Sequence, residues 1–448
     1  MTQIALAAPL ALEETAVAAA LAALESEGTI LRGRFDPGVN DEQWCDRRLL
    51  ARIHHTTIRR LRAEIEPVAA RDFLRSLFAW QHVGEDTRLE GPHALSTALA
   101  VLEGFEAPAG AWETEILPAR LEGYEPAWLD TYCIAGRAMW ARLTPPVNGK
   151  GRARTATPVR STPIALLDRR RLPLWISHLP QTSTTPPSPR AQSLLDCLHA
   201  QGALFFDELI ETSHLLRPQV EEALGELVAL GLVTSDSFAG LRGLLVPSNQ
   251  RRPISGAKRR GRILRFDIES GGRWALIRRA IPADDQGRAA AIEHVARALL
   301  QRYGVVFWRL LAREANWLPP WRDLLRVYRR LEARGEIRGG RFVAGFSGEQ
   351  YALPEAIGLL RETRRRPPSE QWISLSGADP LNLIGILTPG PRLAALTDNR
   401  LVYRDGIPVA TLSGGKVEFL TTLDAKNQWE AEKRLVRSAA RGLLSHLS

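Results

Sequence analysis

The chain has 448 residues, 45% of them hydrophobic, and 59 Lys plus Arg against 50 Asp plus Glu give a formal charge of +9. That length exceeds what one core usually organises, so several domains are expected, and no apolar run reaches the roughly 18–20 residues of a membrane span. Three scattered cysteines, Cys45, Cys133 and Cys197, form neither a disulfide framework nor a CxxC zinc pair, which fits a reducing cytoplasm.

The basic residues are mostly arginine. Guanidinium forks match phosphate oxygens bidentately, so this excess favours a polyanionic partner. The Ala- and Leu-rich start, residues 4–24, resembles a secretory leader only in part. It lacks a basic leading stretch, and Glu13 and Glu14 interrupt it.

In chain order, the first element is a helix running through Leu21 to Gly28, followed by a β-like run to Phe35. The same pattern returns from Leu224 through Gly231 to Phe238 and from Tyr328 through Gly335 to Phe342. Each time a glycine stands where a helix needs a left-handed C-cap, and a phenylalanine follows seven residues later. The second and third copies also share an upstream half, Leu194 to Ala200 before Gly202 and Val295 to Arg302 before Gly304. Helix, helix, long helix and hairpin is the winged helix-turn-helix order, in which the long helix enters the major groove.

This reading gives a partial winged helix over residues 1–35, a mostly helical domain over 36–180, winged helices over 188–280 and 285–366, and a β-rich module over 370–448. In the helical domain, apolar residues keep helical spacing from Leu49 to Leu61 and from Phe73 to Val83. Residues 144–163 and 180–189, rich in Pro and Thr, read as linkers. After Pro368, short alternating runs separated by Asp405-Gly406 and Gly414-Gly415 read as strands, closed by a helix from about Gln428 to Leu444. The first copy lacks its upstream half, as expected of a C-terminal part of a larger protein.

The long helices differ in charge. Around Trp321, the residues Arg322, Arg326, Arg329 and Arg330 recur at spacings of three and four, so they form one basic stripe suited to phosphates. The equivalent helix of the preceding copy carries Glu221, Glu222 and Glu226 and is expected to face protein. Two further basic runs, Lys258 to Arg262 and Arg364 to Arg366, lie between modules and suit a phosphate backbone or simple solvation. No GxxxxGK[ST], HExxH, GxSxG or zinc-ligand cluster occurs. ATP hydrolysis, metal chemistry and serine-type acyl transfer lack their residues, and no cofactor is expected.

The segments Trp44 to His54, Leu61 to Val68, Trp80-Gln81-His82, Leu89 to Gly91, Gly104 to Pro108, Trp112-Glu113 and Leu117 to Arg120 resemble the helicase-associated region of the large helicase-related (Lhr) proteins. Val233 to Arg242, Gly272-Arg273-Trp274, Tyr303 to Phe307 and Asp379 to Leu383 are similar to the C-terminal half of the same family. The resemblance implies a helix-rich α+β fold of tandem winged helices ending in a β-barrel-like module. It also implies a helicase core N-terminal to this segment, self-association as a homo-oligomer such as a tetramer, and a cytoplasmic, nucleoid-associated place in DNA repair. Kinship with AlkZ-type DNA glycosylases, and a uracil-DNA glycosylase activity, come with it.

A glycosylase flips the target nucleotide out of the stack and stabilises the positive charge that develops on the sugar. A carboxylate suits that task. The AlkZ-type pattern of Gln, hydrophobic residue, Gln or Asp has no match, the nearest being Gln428-Trp429-Glu430. Two candidates remain: Asp379, before Pro380 and Asn382, and Glu106, in the Gly104 to Pro108 segment; each also suits a turn or helix-start cap. Candidate DNA contacts are Trp321, Arg322, Arg326, Arg329, Arg330 and Arg273. The alternative is a non-catalytic oligomerisation and DNA-docking module.

Overall fold

The computed structural model describes residues 1–36, 38–63, 65–144, 160–177, 186–245, 271–277 and 284–444. The presumed linkers and the basic run from Lys258 to Arg262 lie wholly or largely outside them. The chain divides into two compact units, Met1–Glu66 and Pro67–Ser448.

The first unit contains α1 (Gln3–Leu10), α2 (Glu14–Ser26), β1 (Ile30–Gly33), β2 (Gln43–Asp46) and α3 (Arg47–Ala63). Strands β1 and β2 form an antiparallel hairpin with Gly33 opposite Gln43. A small core of Ala7, Val17 and Leu21 holds the two helices on it.

The second unit holds three modules and a C-terminal sheet. The first module comprises α4 (Ala70–Trp80), β3 (Leu89–Glu90), α5 (Leu95–Leu102), β4 (Glu106–Pro108), a π-helical turn at Trp112–Ile116, α6 (Leu117–Arg120), β5 (Leu121–Glu122), α7 (Pro126–Ile134), β6 (Met139–Ala141), β7 (Pro163–Leu167) and α8 (Leu172–Ile176). The second comprises α9 (Pro189–Gln201), α10 (Phe206–Ser213), α11 (Arg217–Ala229), β8 (Val233–Ser235), α12 (Phe238–Leu245) and β9 (Trp274–Leu276). The third comprises α13 (Asp285–Tyr303), β10 (Val305–Phe307), a 3-10 helix at Trp308–Arg313, α14 (Trp321–Ala333), β11 (Arg338–Gly340), β12 (Gln350–Ala352) and α15 (Pro354–Arg365).

All three modules share one sheet plan. The strand orders are β4-β7-β6 and β10-β12-β11, and in the second module Leu204 bridges Trp274 on β9, which pairs with β8. In each, the segment that follows α5, α9 or α13 lies beside the last strand of the wing. The region read as mostly helical therefore carries a winged-helix sheet of its own. Residues 144–163, read as a linker, lead in sequence from its strand β6 to its strand β7, and Gly136 has Leu143 rather than phenylalanine seven residues on.

The glycine signal marks the same cap four times. Gly28, Gly136, Gly231 and Gly335 have φ of +72°, +70°, +68° and +77°. At Gly231 the cap amide donates to Val228 O (3.0 Å) and the next amide to Leu227 O (2.9 Å), and at Gly335 the partners are Glu332 O (2.9 Å) and Leu331 O (3.0 Å). This paired bonding is the Schellman motif, which satisfies the last helical carbonyls. A Cβ at Gly335 would meet nothing within 4 Å, whereas one at Gly231 would lie 2.8 Å from Arg142 O. Gly335→Ala is therefore expected to cost about 1 kcal/mol, the conformational penalty alone, and Gly231→Ala distinctly more. Denaturant midpoints of the two variants check this; equal shifts would contradict it.

The likeness of the first-unit hairpin to the third-module wing extends well past the phenylalanine. Gly28, Ile30, Gly33, Arg34, Phe35, Gly38, Glu42 and Gln43 match Gly335, Ile337, Gly340, Arg341, Phe342, Gly345, Glu349 and Gln350 without a gap. The Gln43 side-chain oxygen accepts from the amides of Phe35 (2.8 Å) and Asp36 (2.9 Å). Gln350 does the same for Phe342 (2.9 Å) and Val343 (2.8 Å). A shared buried acceptor fixes both wings in one shape. Phe238, the third of the repeated phenylalanines, instead begins α12.

The C-terminal module is β13 (Trp372–Ser376), β14 (Arg400–Arg404), β15 (Ile407–Ser413), β16 (Lys416–Phe419) and α16 (Ala425–Leu444). Its strands run antiparallel in the order β13-β14-β15-β16, and α16 lays Ala431 and Leu435 on Val402, Val409 and Ala410. The barrel-like closure implied by the family resemblance is absent among the described residues. This is an open four-stranded sheet whose inner face is covered by a helix, and alternation along a strand does not distinguish the two. Among the described residues, no single helix is long and apolar enough to cross a membrane.

Candidate nucleic-acid interface and the carboxylates behind it

Helix α14 starts after Pro319 and Pro320 and divides cleanly by face. Leu324, Val327, Tyr328 and Leu331 are buried against the module core, at the spacing that places them on one side of a helix. The opposite side carries Arg322 and Arg326, whose side chains are 81% and 77% exposed. Arg329 and Arg330 are also exposed.

These arginines are only loosely held. Asp323 lies 3.6 Å from Arg322 and 3.4 Å from Arg326, and exposed pairs of this kind are worth little. Glu349, on the wing, hydrogen-bonds Arg329 at 3.1 Å and holds its guanidinium more firmly charged than usual. Arg330 has no carboxylate partner among the described residues. Trp321 is half-buried with its ring 5.8 Å from Tyr328, so it braces the ridge from below. Arg273 stands apart from this ridge, beside β9 in the second module, paired with Asp236 at 2.9 Å.

The acidic long helix of the second module is α11. Glu226 accepts from the Ser188 amide and hydroxyl, both at 2.6 Å, while Glu221 and Glu222 lie 3.5 Å from Arg217 and Arg190. These acids are largely engaged within their own module.

The two candidate carboxylates lie in different settings, and neither is free. Asp379 is 1% exposed. Its oxygens accept from Arg120 at 2.7 and 3.1 Å, and one also caps the Leu381 amide at 2.9 Å. Arg120 is itself fully buried and donates to Gln81 at 2.6 Å and to Ile116 O at 3.0 Å. A nucleotide cannot reach Asp379 without opening this seam between the first module and the C-terminal sheet.

Glu106, on β4, is half-buried. One oxygen accepts from the Leu143 and Thr144 amides, both at 2.9 Å. The other accepts from the Thr144 hydroxyl and, at 3.1 Å, from Trp317 Nε1. Trp317 meets Trp175 edge to face at 6.2 Å, and Trp175 Nε1 donates to Glu103 at 3.2 Å. Burial pushes the Glu103 carboxyl up, but His294, Trp175 and Arg171 outweigh it, leaving the group below the ordinary carboxylate range. Two carboxylates and two tryptophans thus converge where the first and third modules meet. Trp317, Trp175, Thr144 and His294 carry no motif that sequence reading would select.

Several arginines are spent inside the protein. Arg302 pairs with Glu314 at 2.6 Å and Arg400 with Glu115 at 2.5 Å, all with side chains at most 10% exposed. Arg242 binds Glu113 at 2.7 Å and Asp130 at 3.1 Å. Burial raises the Glu113 carboxyl above its usual value despite that partner. Arg313 donates to the carbonyls of Ala378 and Asp379, both at 2.8 Å. Among the described residues, no group of three or more His, Cys, Asp or Glu is placed to hold a metal.

Repeated winged-helix sheets, glycine-capped long helices and the exposed arginine ridge of α14 define a tandem winged-helix protein. Residues 285–372 match the winged-helix domain of the large helicase-related protein that stands fourth in that family, and residues 68–167 match the third. The chain thus carries two winged-helix domains of the large helicase-related (Lhr) type, and its relatives are Lhr proteins. It is 28% identical over 417 residues to the "Lhr helicase/ probable uracil glycosylase" of Mycolicibacterium smegmatis, covering 86% of this chain and 26% of that protein. It is also 28% identical over 467 residues to the "Lhr helicase/uracil glycosylase" of Escherichia coli K12, covering 92% of this chain and 28% of the relative. The chain therefore spans about a quarter of the length of these curated relatives.

Proposed function

We propose that this chain is a DNA-holding region of an Lhr-type repair protein and that it supports excision of uracil. The observation that carries the DNA-holding part is the ridge of Arg322, Arg326, Arg329 and Arg330 on α14, turned outward from a well-packed module. Each guanidinium that neutralises a phosphate releases counterions, so affinity falls steeply with salt. The excision part rests on the names of the two relatives. In such a reaction the bond from the sugar C1′ to the base nitrogen breaks, water adds to C1′, and the base departs with a proton.

Of the two carboxylates, Glu106 is the better placed to meet a sugar, because it is half-buried where Asp379 is sealed. Glu106→Gln keeps the shape and removes the charge. If Glu106 stabilises the sugar cation, the variant is expected to lose at least about a hundredfold in excision rate with DNA affinity unchanged. The measurement is alkaline strand cleavage of a uracil-containing oligonucleotide after incubation with the chain. Wild-type rates in the variant would remove Glu106 from the reaction.

A second reading, a docking and assembly module without chemistry of its own, is favoured by the complete engagement of both carboxylates in hydrogen bonds. It predicts DNA binding with no abasic product from any preparation of the chain. Self-association belongs to this reading and is read out by light scattering. The helicase motor, in either case, is proposed to lie in the part of the relatives' length that this chain does not span.

A further inference from the structure

We propose that α3 of the first unit is a second DNA-backbone-binding helix, held in place by the wing that precedes it. This extends the DNA-holding reading above to a surface that reading does not include.

Helix α3 contains no Asp or Glu along its whole length, while it carries Arg47, Arg48, Arg52, Arg59, Arg60 and Arg62 with His54 and His55. By contrast, α14 carries Asp323 and Glu332 among its arginines. Arg48, Arg52, His55, Arg59 and Arg62 recur at alternating spacings of four and three, so they share one face. At 1.5 Å per residue the stripe extends about 20 Å, long enough to follow several successive phosphates. Arg48, Arg52, His55 and Arg59 are all exposed.

The helix is rooted on the wing. The Asp46 carboxylate caps the Leu49 amide at 2.8 Å, and the Arg47 amide donates to Thr29 O at 3.0 Å, in the turn between α2 and β1. The same wing exposes Arg34, the counterpart of Arg341 in the third module. The stripe is thus held by a fixed hairpin, although the wing itself also exposes Asp36, Asp41 and Glu42. Nucleic acid fits this better than a lipid surface. Helices that lie in a membrane interface present Trp, Phe and Leu on a broad apolar side; α3 exposes Leu49 and Ile53, but it has no Trp, Phe or Tyr and sets Thr56 and Thr57 in its middle.

The test uses the full chain with the triple variant Arg48→Ala, Arg52→Ala, Arg59→Ala, which leaves helix propensity high. Affinity for a mixed-sequence duplex is measured over a range of salt concentrations. The variant is expected to lower the slope of log K against log salt by about 2–3, since each phosphate contact contributes about 0.9. Arg→Lys at the same three positions is expected to restore the slope, because a point charge suffices for a phosphate. An unchanged slope in the Ala variant, alongside a reduced one when Arg322, Arg326 and Arg330 are replaced, would overturn this proposal and leave the α14 reading intact. Unchanged slopes in both variants would remove both. Loss of binding to phosphatidylserine vesicles with duplex binding retained would assign α3 to lipid and equally overturn the proposal.

Discussion

Arg120→Ala is expected to destabilise the chain by about 3–5 kcal/mol, the usual cost of removing one partner from a buried ion pair. The side chains of Arg120 and Asp379 are 0% and 2% exposed. Without the guanidinium, Asp379 keeps a buried charge without its ion-pair partner, and Gln81 loses the donor that binds its side-chain oxygen at 2.6 Å. The pair joins α6 of the first module to the turn after β13, and Glu115 with Arg400 joins the same two bodies at 2.5 Å. Losing Arg120 should therefore loosen the C-terminal sheet. Replacing both partners with apolar residues, Arg120→Met with Asp379→Leu, should recover most of the loss, because neither charge then needs a partner. Denaturant unfolding followed by tryptophan fluorescence checks this. A wild-type midpoint for Arg120→Ala would mean that the pair is not structural, and Asp379 would return as a candidate for chemistry.

The second large effect belongs to α14. Replacing Arg322, Arg326 and Arg330 together by Ala is expected to weaken duplex binding by about ten- to a hundredfold at moderate ionic strength, because three phosphate contacts and their counterion release are lost together. Stability should barely change. The three side chains point into solvent, Ala favours the helix, and the buried face of Leu324, Val327, Tyr328 and Leu331 is untouched. Arg329 is left out because Glu349 already engages it across the wing.

The parts of this architecture that were legible in the sequence are those where one residue type has a single backbone reason to be present. Gly28, Gly231 and Gly335 sit at left-handed caps that other residues resist, and the stripe on α14 follows from spacing alone. The fourth cap, Gly136, was hidden because the residue seven positions on is Leu143 rather than phenylalanine and a Pro- and Thr-rich stretch follows in sequence. The second helix of the third module is a 3-10 helix, which helical periodicity does not capture.

Arginine was the most misleading signal. Composition counts Arg120, Arg302 and Arg400 with the surface charge, yet all three are buried against carboxylates far away in sequence or across a turn. Nothing local separates them from Arg322 or Arg326. Asp379 shows the same limit from the acidic side. Its Asx turn was readable from Pro380 and Asn382, but its partner lies 259 residues away.

The measurement that bears most directly on the chain as a DNA-holding protein is the salt dependence of duplex affinity, compared between the wild type and the Arg322, Arg326, Arg330 alanine variant. The account predicts a wild-type affinity that falls steeply with salt and a variant slope shallower by about 2–3. Two parallel lines would contradict it.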